Sequence, residues 1–279
     1  MGIAPFTLHR PETVDEALGL LEEYGDEAAF YMGGTELLLL MKLGFAEPRH
    51  VIDGKRIAEL RELACSPSSV RIGAGVTHRR LERRADLRSL LPTFVRLEAQ
   101  VANVRVRNAG TLGGNLCFAE PHSDPATLLT ALDAQVTLRS KAGERTVALS
   151  DFGLGAFETA LGPGELMTAV TVPLPSTGTR VGYERLAFKE RPDVSVAVVL
   201  GASGCHVRVG ALSGRPLRIE GAELALAEGG EAGIERAAAA TTATVAEADR
   251  SEGGDFRAHL AGVLLRRACR TATAGTALG

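Results

Sequence analysis

The sequence predicts an α+β protein of two domains, and three observations carry this prediction. The chain has 279 residues, which is enough for two domains. Residues 173–178 read PLPSTG, and this run of two prolines, small polar residues and a glycine is the clearest linker in the sequence. Two strands followed by two long helices are expected beyond it, which is typical of a small α+β domain. We therefore expect domains at residues 1–175 and 176–279.

Hydrophobic periodicity and turn residues predict the individual elements. A helix is expected from Val14 to Gly25, with Thr13 as its N-cap and Glu16 completing a capping box. The other elements expected before the linker are strands at 28–32 (buried), 50–53, 70–73, 134–138, 145–149 and 166–172, and helices at 37–42, 78–84, 90–101 and 125–132. Beyond the linker we expect strands at 194–200 and 205–212, joined by a hairpin at 201–204, and helices at 234–248 and 256–272.

Two glycine-rich segments are candidate binding loops. One reads YMGGTE at residues 31–36, and the other reads NAGTLGGN at 108–115 and leads to PHSDP at 121–125. Glycine allows a positive φ and lets a ligand approach the main chain closely, and successive N–H groups in such a turn form an anion-binding concavity. The two loops together could grip a pyrophosphate from both sides, although either glycine pair alone is better explained by an ordinary turn.

Other nucleotide motifs are absent from the sequence. The run Gly73-Ala74-Gly75 lacks the third glycine of a Rossmann fingerprint, and the Walker lysine motif is missing. A nucleotide site in this chain would therefore be of another type.

Composition and charge exclude several classes of protein. The formal net charge of −3 gives no basic field for nucleic acid, and aromatic residues make up only 4% of the chain, with no Trp to stack on bases. No run approaches the roughly 18 apolar residues of a membrane span, and the N-terminus does not resemble a signal peptide. We therefore expect a soluble, cytoplasmic protein without a membrane span.

The four cysteines are scattered, and no Cys-x-x-Cys pair is available to hold zinc or an iron–sulfur cluster. We therefore expect no metal site on this chain. Each cysteine is expected to be a small buried residue, with Cys117, which follows the second glycine segment, as the candidate for lining a site. The helix that carries Arg79, Arg80, Arg83 and Arg84 could meet an acidic partner, but a solvated helix face is the simpler interpretation.

The residues 33–42 and 111–115 closely resemble the two FAD-binding segments of the medium, flavin-carrying subunit of molybdenum hydroxylases, the relatives of carbon monoxide dehydrogenase, xanthine dehydrogenase and 4-hydroxybenzoyl-CoA reductase. The resemblance covers nearly the whole chain and includes 6–17, 121–124, 164–173 and 183–193. It implies a PCMH-type FAD-binding domain of two α/β subdomains, about 1–55 and 56–175. A small C-terminal α+β domain with an antiparallel sheet and helices would follow.

The resemblance also implies which residues bind FAD. The two glycine segments would clamp its diphosphate by their backbone N–H groups and by the hydroxyls of Thr35 and Thr111. Asp124 would bind ribityl or ribose hydroxyls, and Met167 would contact the flavin. Arg185, or else Lys189, would lie near the isoalloxazine, with a solvated surface charge as the alternative for Arg185. The residues expected to bind the cofactor are Tyr31, Met32, Gly33, Gly34, Thr35, Glu36, Thr111, Leu112, Gly113, Gly114, Asn115, Asp124, Met167 and Arg185.

The attachment of FAD is expected to be non-covalent. Thr35 stands after the first glycine pair, where covalent flavoproteins of the related fold often have a histidine, and His122 is the only histidine near the second segment. The benzoyl-CoA-type reductases carry an extra cluster in an inserted cysteine-bearing loop, which this chain lacks. No residue of this chain is expected to carry out catalysis on the organic substrate.

By the same resemblance, the chain is an electron-transfer subunit that acts with a large subunit holding the molybdenum cofactor and a small subunit holding two [2Fe-2S] clusters. The assembly would be a dimer of heterotrimers that passes electrons to an external acceptor. The alternatives are a self-standing flavin-dependent oxidase or reductase of the same fold, and a scaffolding subunit without redox function.

Overall fold

The computed structural model describes residues 2–188, 190–202, 204–212 and 214–274. Three main sheets follow one another along the chain. The first is a parallel sheet in the order β1-β3-β2. Its elements are β1 Thr7–His9, α1 Val14–Tyr24, β2 Ala28–Tyr31, α2 Leu37–Leu43 and β3 His50–Asp53.

Local sequence explains the first helix. The Thr13 hydroxyl accepts a hydrogen bond from the N–H of Glu16 at 3.1 Å, as a capping residue should. The Glu16 carboxylate reaches the N–H of Glu12 at 2.8 Å, so the reciprocal half of the expected capping box is made one residue early. The strand expected to be buried, β2, is only half-buried because it is the edge strand of its sheet.

The second sheet is antiparallel, in the order β4-β5-β10-β6-β7. A small hairpin of two further strands lies beside it. The elements are β4 Leu63–Cys65, β5 Ser69–Gly73, α3 His78–Arg83, α4 Ala85–Leu90, α5 Pro92–Glu98, α6 Val104–Ala109, α7 Leu112–Phe118, α8 Asp124–Ala131, β6 Gln135–Ser140, β7 Gly143–Ala148, α9 Leu149–Phe152, β8 Gly153–Gly155, β9 Glu158–Thr159 and β10 Leu166–Pro173.

One helix in this region is shorter than predicted. The helix expected at 90–101 is observed as α5, from Pro92 to Glu98, and Leu90 is instead the last residue of α4. Proline fits the first position of a helix but disfavours helical backbone at the residue before it, and Leu91 accordingly has φ −136° and ψ 62°.

The third sheet is antiparallel, in the order β11-β12-β13-β14, and three helices pack on it. The elements are β11 Arg180–Phe188, β12 Arg191–Gly201, β13 Gly204–Gly210, β14 Leu217–Arg218, α10 Glu220–Ala227, α11 Gly230–Ala248 and α12 Gly254–Ala274. The hairpin predicted at 201–204 joins β12 to β13, although its residue Ser203 lies outside the described residues. The predicted fold class, α+β, is confirmed, while β11, β14 and α10 were not expected.

The second sheet and its helices, residues 63–173, form what we call the second unit. The third sheet contacts this unit at helices α5 and α8. The hydroxyl of Ser195 on β12 donates to the hydroxyl of Thr127 on α8 at 3.3 Å. The Thr93 hydroxyl on α5 donates to the carbonyl of Val181 on β11 at 3.0 Å. Tyr183 and Arg185 of β11, the first strand of the third sheet, contact Asp124 at the start of α8. In the described part of the chain, no helix is long and apolar enough to cross a membrane.

Candidate functional site: a cavity between the two glycine segments

A cavity of about 450 Å³ lies where the first parallel sheet meets the second unit. Its volume is in the usual range for small-molecule sites. Both glycine segments line it, together with residues that follow the second one. Of the residues expected to bind a cofactor, Tyr31, Met32, Gly33, Gly34, Thr35, Glu36, Thr111, Gly113, Gly114, Asn115, Asp124 and Met167 line this cavity.

The two glycine segments touch each other across the cavity wall. A Cβ atom on Gly33 would lie 2.3 Å from the carbonyl oxygen of Ala109 and 2.7 Å from the Cα of Gly110. No side chain fits at such separations, so Gly33 is required for this close approach of two backbones. The contact brings a loop of the first sheet against the segment that precedes α7.

The first glycine segment offers unpaired backbone donors to the cavity. Among the described residues, no hydrogen bond uses the N–H of Gly33, Gly34, Thr35 or Glu36. Gly34 has φ +68°, a left-handed conformation that turns these consecutive N–H groups into one concavity. Four adjacent N–H groups without a protein acceptor, beside a cavity, are available to bind an anionic ligand.

The second glycine segment differs from the expectation of a matching loop. Gly113 and Gly114 lie in the first turn of α7, and neither has a positive φ. Their N–H groups are already bonded, that of Gly113 to the carbonyl of Ala74 at 2.9 Å and that of Gly114 to the Thr111 hydroxyl at 3.1 Å. The glycine at 113 serves close packing instead, because a Cβ there would lie 2.5 Å from the Cβ of Ala74.

Two of the expected binding residues do not line the cavity. The Leu112 side chain is completely buried in the core of the second unit, and its N–H donates to the carbonyl of Val76 at 3.0 Å. Arg185 projects from β11 and forms an ion pair with Asp124, and it also donates to the carbonyl of Gln100 at 2.9 Å. Its side chain is 15% exposed and ion-paired, so the alternative of a solvated surface charge is wrong. Lys189, the other candidate cation, lies outside the described residues.

Asp124 is part of a buried network rather than a free acceptor in a loop. It is the first residue of α8, its side chain is 5% exposed, and both carboxylate oxygens accept hydrogen bonds, one from the Tyr183 hydroxyl and one from Arg185. Burial raises the pKa of the Asp124 carboxyl, and the Arg185 guanidinium opposes that shift. The third sheet thus fixes the orientation of a carboxylate in the cavity wall.

The rest of the cavity combines carboxylates with an apolar wall. Burial raises the pKa of the Glu36 carboxyl. Burial acts in the same direction on the Glu120 carboxyl, but His122, which is hydrogen-bonded to it at 2.7 Å, lowers its pKa overall. Met32 and Met167 supply apolar surface. Cys117 lines the cavity as expected, and burial raises the pKa of its thiol to about 12, so it remains protonated.

The sequence analysis missed His78 as a cavity residue. It is the first residue of α3, it lines the cavity, and its Nδ1 lies 2.7 Å from the carboxylate of Glu98. Thr77 caps α3, with its hydroxyl accepting from the N–H of Arg80 at 3.2 Å. The available signal was that the capped helix begins with a histidine, but its pairing with Glu98 depends on the tertiary fold.

Other predictions about charged residues and cysteines have mixed outcomes. Arg79 pairs with Glu82 at 2.6 Å and Arg84 with Asp86 at 2.7 Å, so part of the basic face is locally neutralised. Cys65 is exposed because it lies on the edge strand β4, contrary to expectation, whereas Cys269 is buried. In the described ranges, no cluster of three or more His, Cys, Asp or Glu side chains could hold a metal ion.

The fold and cavity are those of a protein whose ligand site lies between two glycine segments that do not form a Rossmann fingerprint. Residues 4–175 match the family model described as the FAD binding domain in molybdopterin dehydrogenase. The chain belongs to this family.

Relatives of known identity match over two thirds of the chain or more. The chain is 34% identical to the carbon monoxide dehydrogenase medium chain of Hydrogenophaga pseudoflava, over 96% of this chain and 97% of that one. It is 33% identical to the caffeine dehydrogenase subunit beta of Pseudomonas sp. strain CBB1, over 71% of this chain and 68% of the relative.

Solved structures agree as well. The structure of carbon monoxide dehydrogenase from Hydrogenophaga pseudoflava matches with a TM-score of 0.92 and 32% identity, over 98% of this chain and 99% of the other. Quinoline 2-oxidoreductase from Pseudomonas putida 86 matches with a TM-score of 0.90 and 27% identity, over 99% of both chains. The chain is therefore an FAD-binding oxidoreductase subunit of the molybdenum hydroxylase family.

Proposed function

We propose that this chain is the electron-transfer subunit of a heterotrimeric molybdenum-containing hydroxylase or dehydrogenase. A large partner holds the molybdenum cofactor and oxidises the organic substrate, and a small partner holds two [2Fe-2S] clusters. Electrons arrive from those clusters and leave to an external acceptor. This proposal is supported by relatives that are named as the medium chain or FAD-binding subunit of dehydrogenases.

The observation that carries the proposal is the row of unpaired N–H groups in the first glycine segment. FAD has a diphosphate, and the N–H groups of residues 33–36 bind its anionic oxygens. The hydroxyls of Thr35 and Thr111 donate to the same group. Because the N–H groups of Gly113 and Gly114 are bonded within the protein, the second segment acts mainly as a wall that holds the first one in position.

The remaining cavity residues suit the rest of the cofactor. Asp124 accepts hydrogen bonds from ribityl or ribose hydroxyls, and Arg185 and Tyr183 orient its carboxylate for this role. Met167 contacts the flavin ring. When bound, FAD takes up electrons and releases them to another carrier. The chain itself binds, orients and shields this group, without a covalent bond to it.

The proposed division of the chain follows the sheets. Residues 1–175 form the cofactor-binding domain, with subdomains at about 1–55 and 56–175, and residues 176–279 form the C-terminal domain. The cofactor lies between the two subdomains. The full assembly is a dimer of heterotrimers.

Titration of the full chain with FAD, followed by flavin fluorescence and absorbance, tests this proposal. We expect saturable binding that Thr35→Val weakens about tenfold or more, because it removes a donor to a charged group. Thr7→Val, at an exposed threonine of β1, is the matched control and should leave the affinity unchanged.

Two further outcomes separate this function from its alternatives. Purification of the full chain from its native cells should yield molybdenum and iron in stoichiometric partner subunits. The chain alone should not oxidise organic substrates. Absence of FAD binding, or substrate oxidation by the chain alone without molybdenum, would contradict the proposal.

A further inference from the structure

Two ionisable side chains beside the cavity, those of His78 and Glu98, are paired and almost completely buried. Their side chains are 3% and 0% exposed, and the Nδ1 of His78 lies 2.7 Å from Oε2 of Glu98. The other carboxylate oxygen, Oε1, is buried without a hydrogen-bond partner among the described residues. A buried carboxyl with so few partners is costly unless its charge is neutralised.

The edge of the His78 ring that carries Nε2 faces the glycine segments. The position that a Cβ atom would take on Gly110 shows how close these groups are. It is 3.3 Å from Cδ2 of His78, the ring carbon bonded to Nε2, and 3.5 Å from the hydroxyl oxygen of Thr35. His78 also lines the cavity. Within the described part of the chain, no hydrogen bond uses the Nε2 atom of His78.

The protonation states of the pair decide what Nε2 can do. With an imidazolium and a carboxylate, both ring nitrogens carry hydrogen, so Nε2–H is a donor. With a neutral ring and a protonated Glu98, the carboxyl donates to Nδ1, and the ring hydrogen is again on Nε2. A ring with hydrogen on Nδ1 alone leaves Nε2 as an acceptor, which cannot bond to a diphosphate oxygen. A diphosphate ligand therefore requires a state with hydrogen on Nε2, and Glu98 can remain bonded to Nδ1 in both such states.

We infer that His78 is a further binding residue for the cofactor diphosphate, with its Nε2–H donating beside Thr35, and that Glu98 is the positioning residue that holds the ring in this orientation through Nδ1. The inference rests on the proposed function. It adds a side-chain donor from α3 to the backbone donors of the first glycine segment.

Two substitutions separate the ring nitrogens. His78→Asn retains a donor near the Nδ1 position for Glu98 but removes the cavity-side donor, whereas His78→Gln places an amide N–H near the Nε2 position. The full chain is titrated with ADP, which carries the diphosphate, and with riboflavin, which does not. We expect His78→Asn to weaken ADP binding about 10- to 100-fold while riboflavin binding is unchanged, and His78→Gln to restore much of the ADP affinity.

A control and a direct measurement complete the test. His259→Gln, at an exposed histidine of α12, should bind both ligands like the unmodified chain. In the unmodified chain with 15N-labelled histidine, ADP should shift the Nε2 resonance of His78, and riboflavin should not. This measurement does not depend on how the variants fold.

The inference is overturned if His78→Asn binds ADP normally, if it weakens ADP and riboflavin equally, or if ADP leaves the His78 resonance unmoved. Failure of the unmodified chain to bind FAD and ADP at all would instead overturn the proposed function.

Discussion

Replacing Gly33 by alanine should remove most of the affinity for FAD while the protein remains folded. The new Cβ would lie 2.3 Å from the carbonyl oxygen of Ala109, so the two backbones must separate by about 0.7 Å to reach a tolerable 3.0 Å. That movement displaces the N–H groups of residues 33–36 from the diphosphate. Hydrogen bonds to charged groups contribute roughly 1.5–3 kcal/mol each. Loss of two of them should raise the Kd at least about 100-fold.

The assay is a fluorescence titration with FAD, performed well below the melting temperature of each variant. Gly19→Ala is the matched control, because it adds the same methyl group inside α1, where the nearest atom is 3.9 Å away at Cε of Lys141. An alanine in a helix interior is favoured over glycine by roughly 0.5–1 kcal/mol. This variant should be slightly more stable and should bind FAD with unchanged affinity.

The reasoning is refuted if folded Gly33→Ala binds FAD within about threefold of the unmodified chain. Equal losses of affinity in the Gly33 and Gly19 variants would also refute it, since the effect would then not depend on the contact between the glycine segments.

Three further predictions concern charge and reactivity. Asp124→Asn leaves the largely buried Arg185 without its carboxylate, so the free energy of unfolding measured by urea denaturation should fall by roughly 3–5 kcal/mol. A fall of less than about 1 kcal/mol would contradict the ion-pair assignment. The Arg257 guanidinium lowers the pKa of Asp249 to about 2, so the stabilisation from Asp249 is complete above its unfolded value near 4 and is lost as the pH falls towards 2. The difference in melting temperature between the unmodified chain and Asp249→Asn should therefore shrink over that interval; a constant difference would count against this pairing. Iodoacetamide at pH 8 should modify exposed Cys65 well before Cys117, as measured by peptide mass spectrometry, and the reverse order would contradict the burial of Cys117.

The sequence predicted the elements that are defined by local signals. Thr13 and Gly25 bound the first helix as expected, and two long C-terminal helices are observed, separated between Ala248 and Gly254. These signals depend on residues that are neighbours in the chain, so they can be recognised without knowledge of the fold. The strand β11 was missed because its charged and apolar residues do not alternate simply, as both of its faces meet other parts of the protein.

The candidate site was only partly predictable for a different physical reason. A glycine can be required because its backbone has a positive φ or because another group packs closely against it, and the sequence does not distinguish these two reasons. Gly34 has the expected left-handed backbone, whereas Gly113 lies in a helix against Ala74. The ion pair of Asp124 with Arg185 joins residues that are 61 positions apart, so only the tertiary structure reveals that Arg185 acts on the cavity through Asp124.

The contact of Gly33 with Ala109 and Gly110 has a thermodynamic consequence. The first glycine segment follows strand β2 of the first sheet, whereas the second lies in the helices packed on the second sheet, so a ligand that binds both segments also stabilises the docking of these two parts. Such a ligand raises the free energy of unfolding by RT ln(1 + [L]/Kd), about 2.7 kcal/mol at 100 times Kd. Cofactor supply and the lifetime of the folded subunit are thereby linked, and a cell short of flavin would lose the protein as well as its activity.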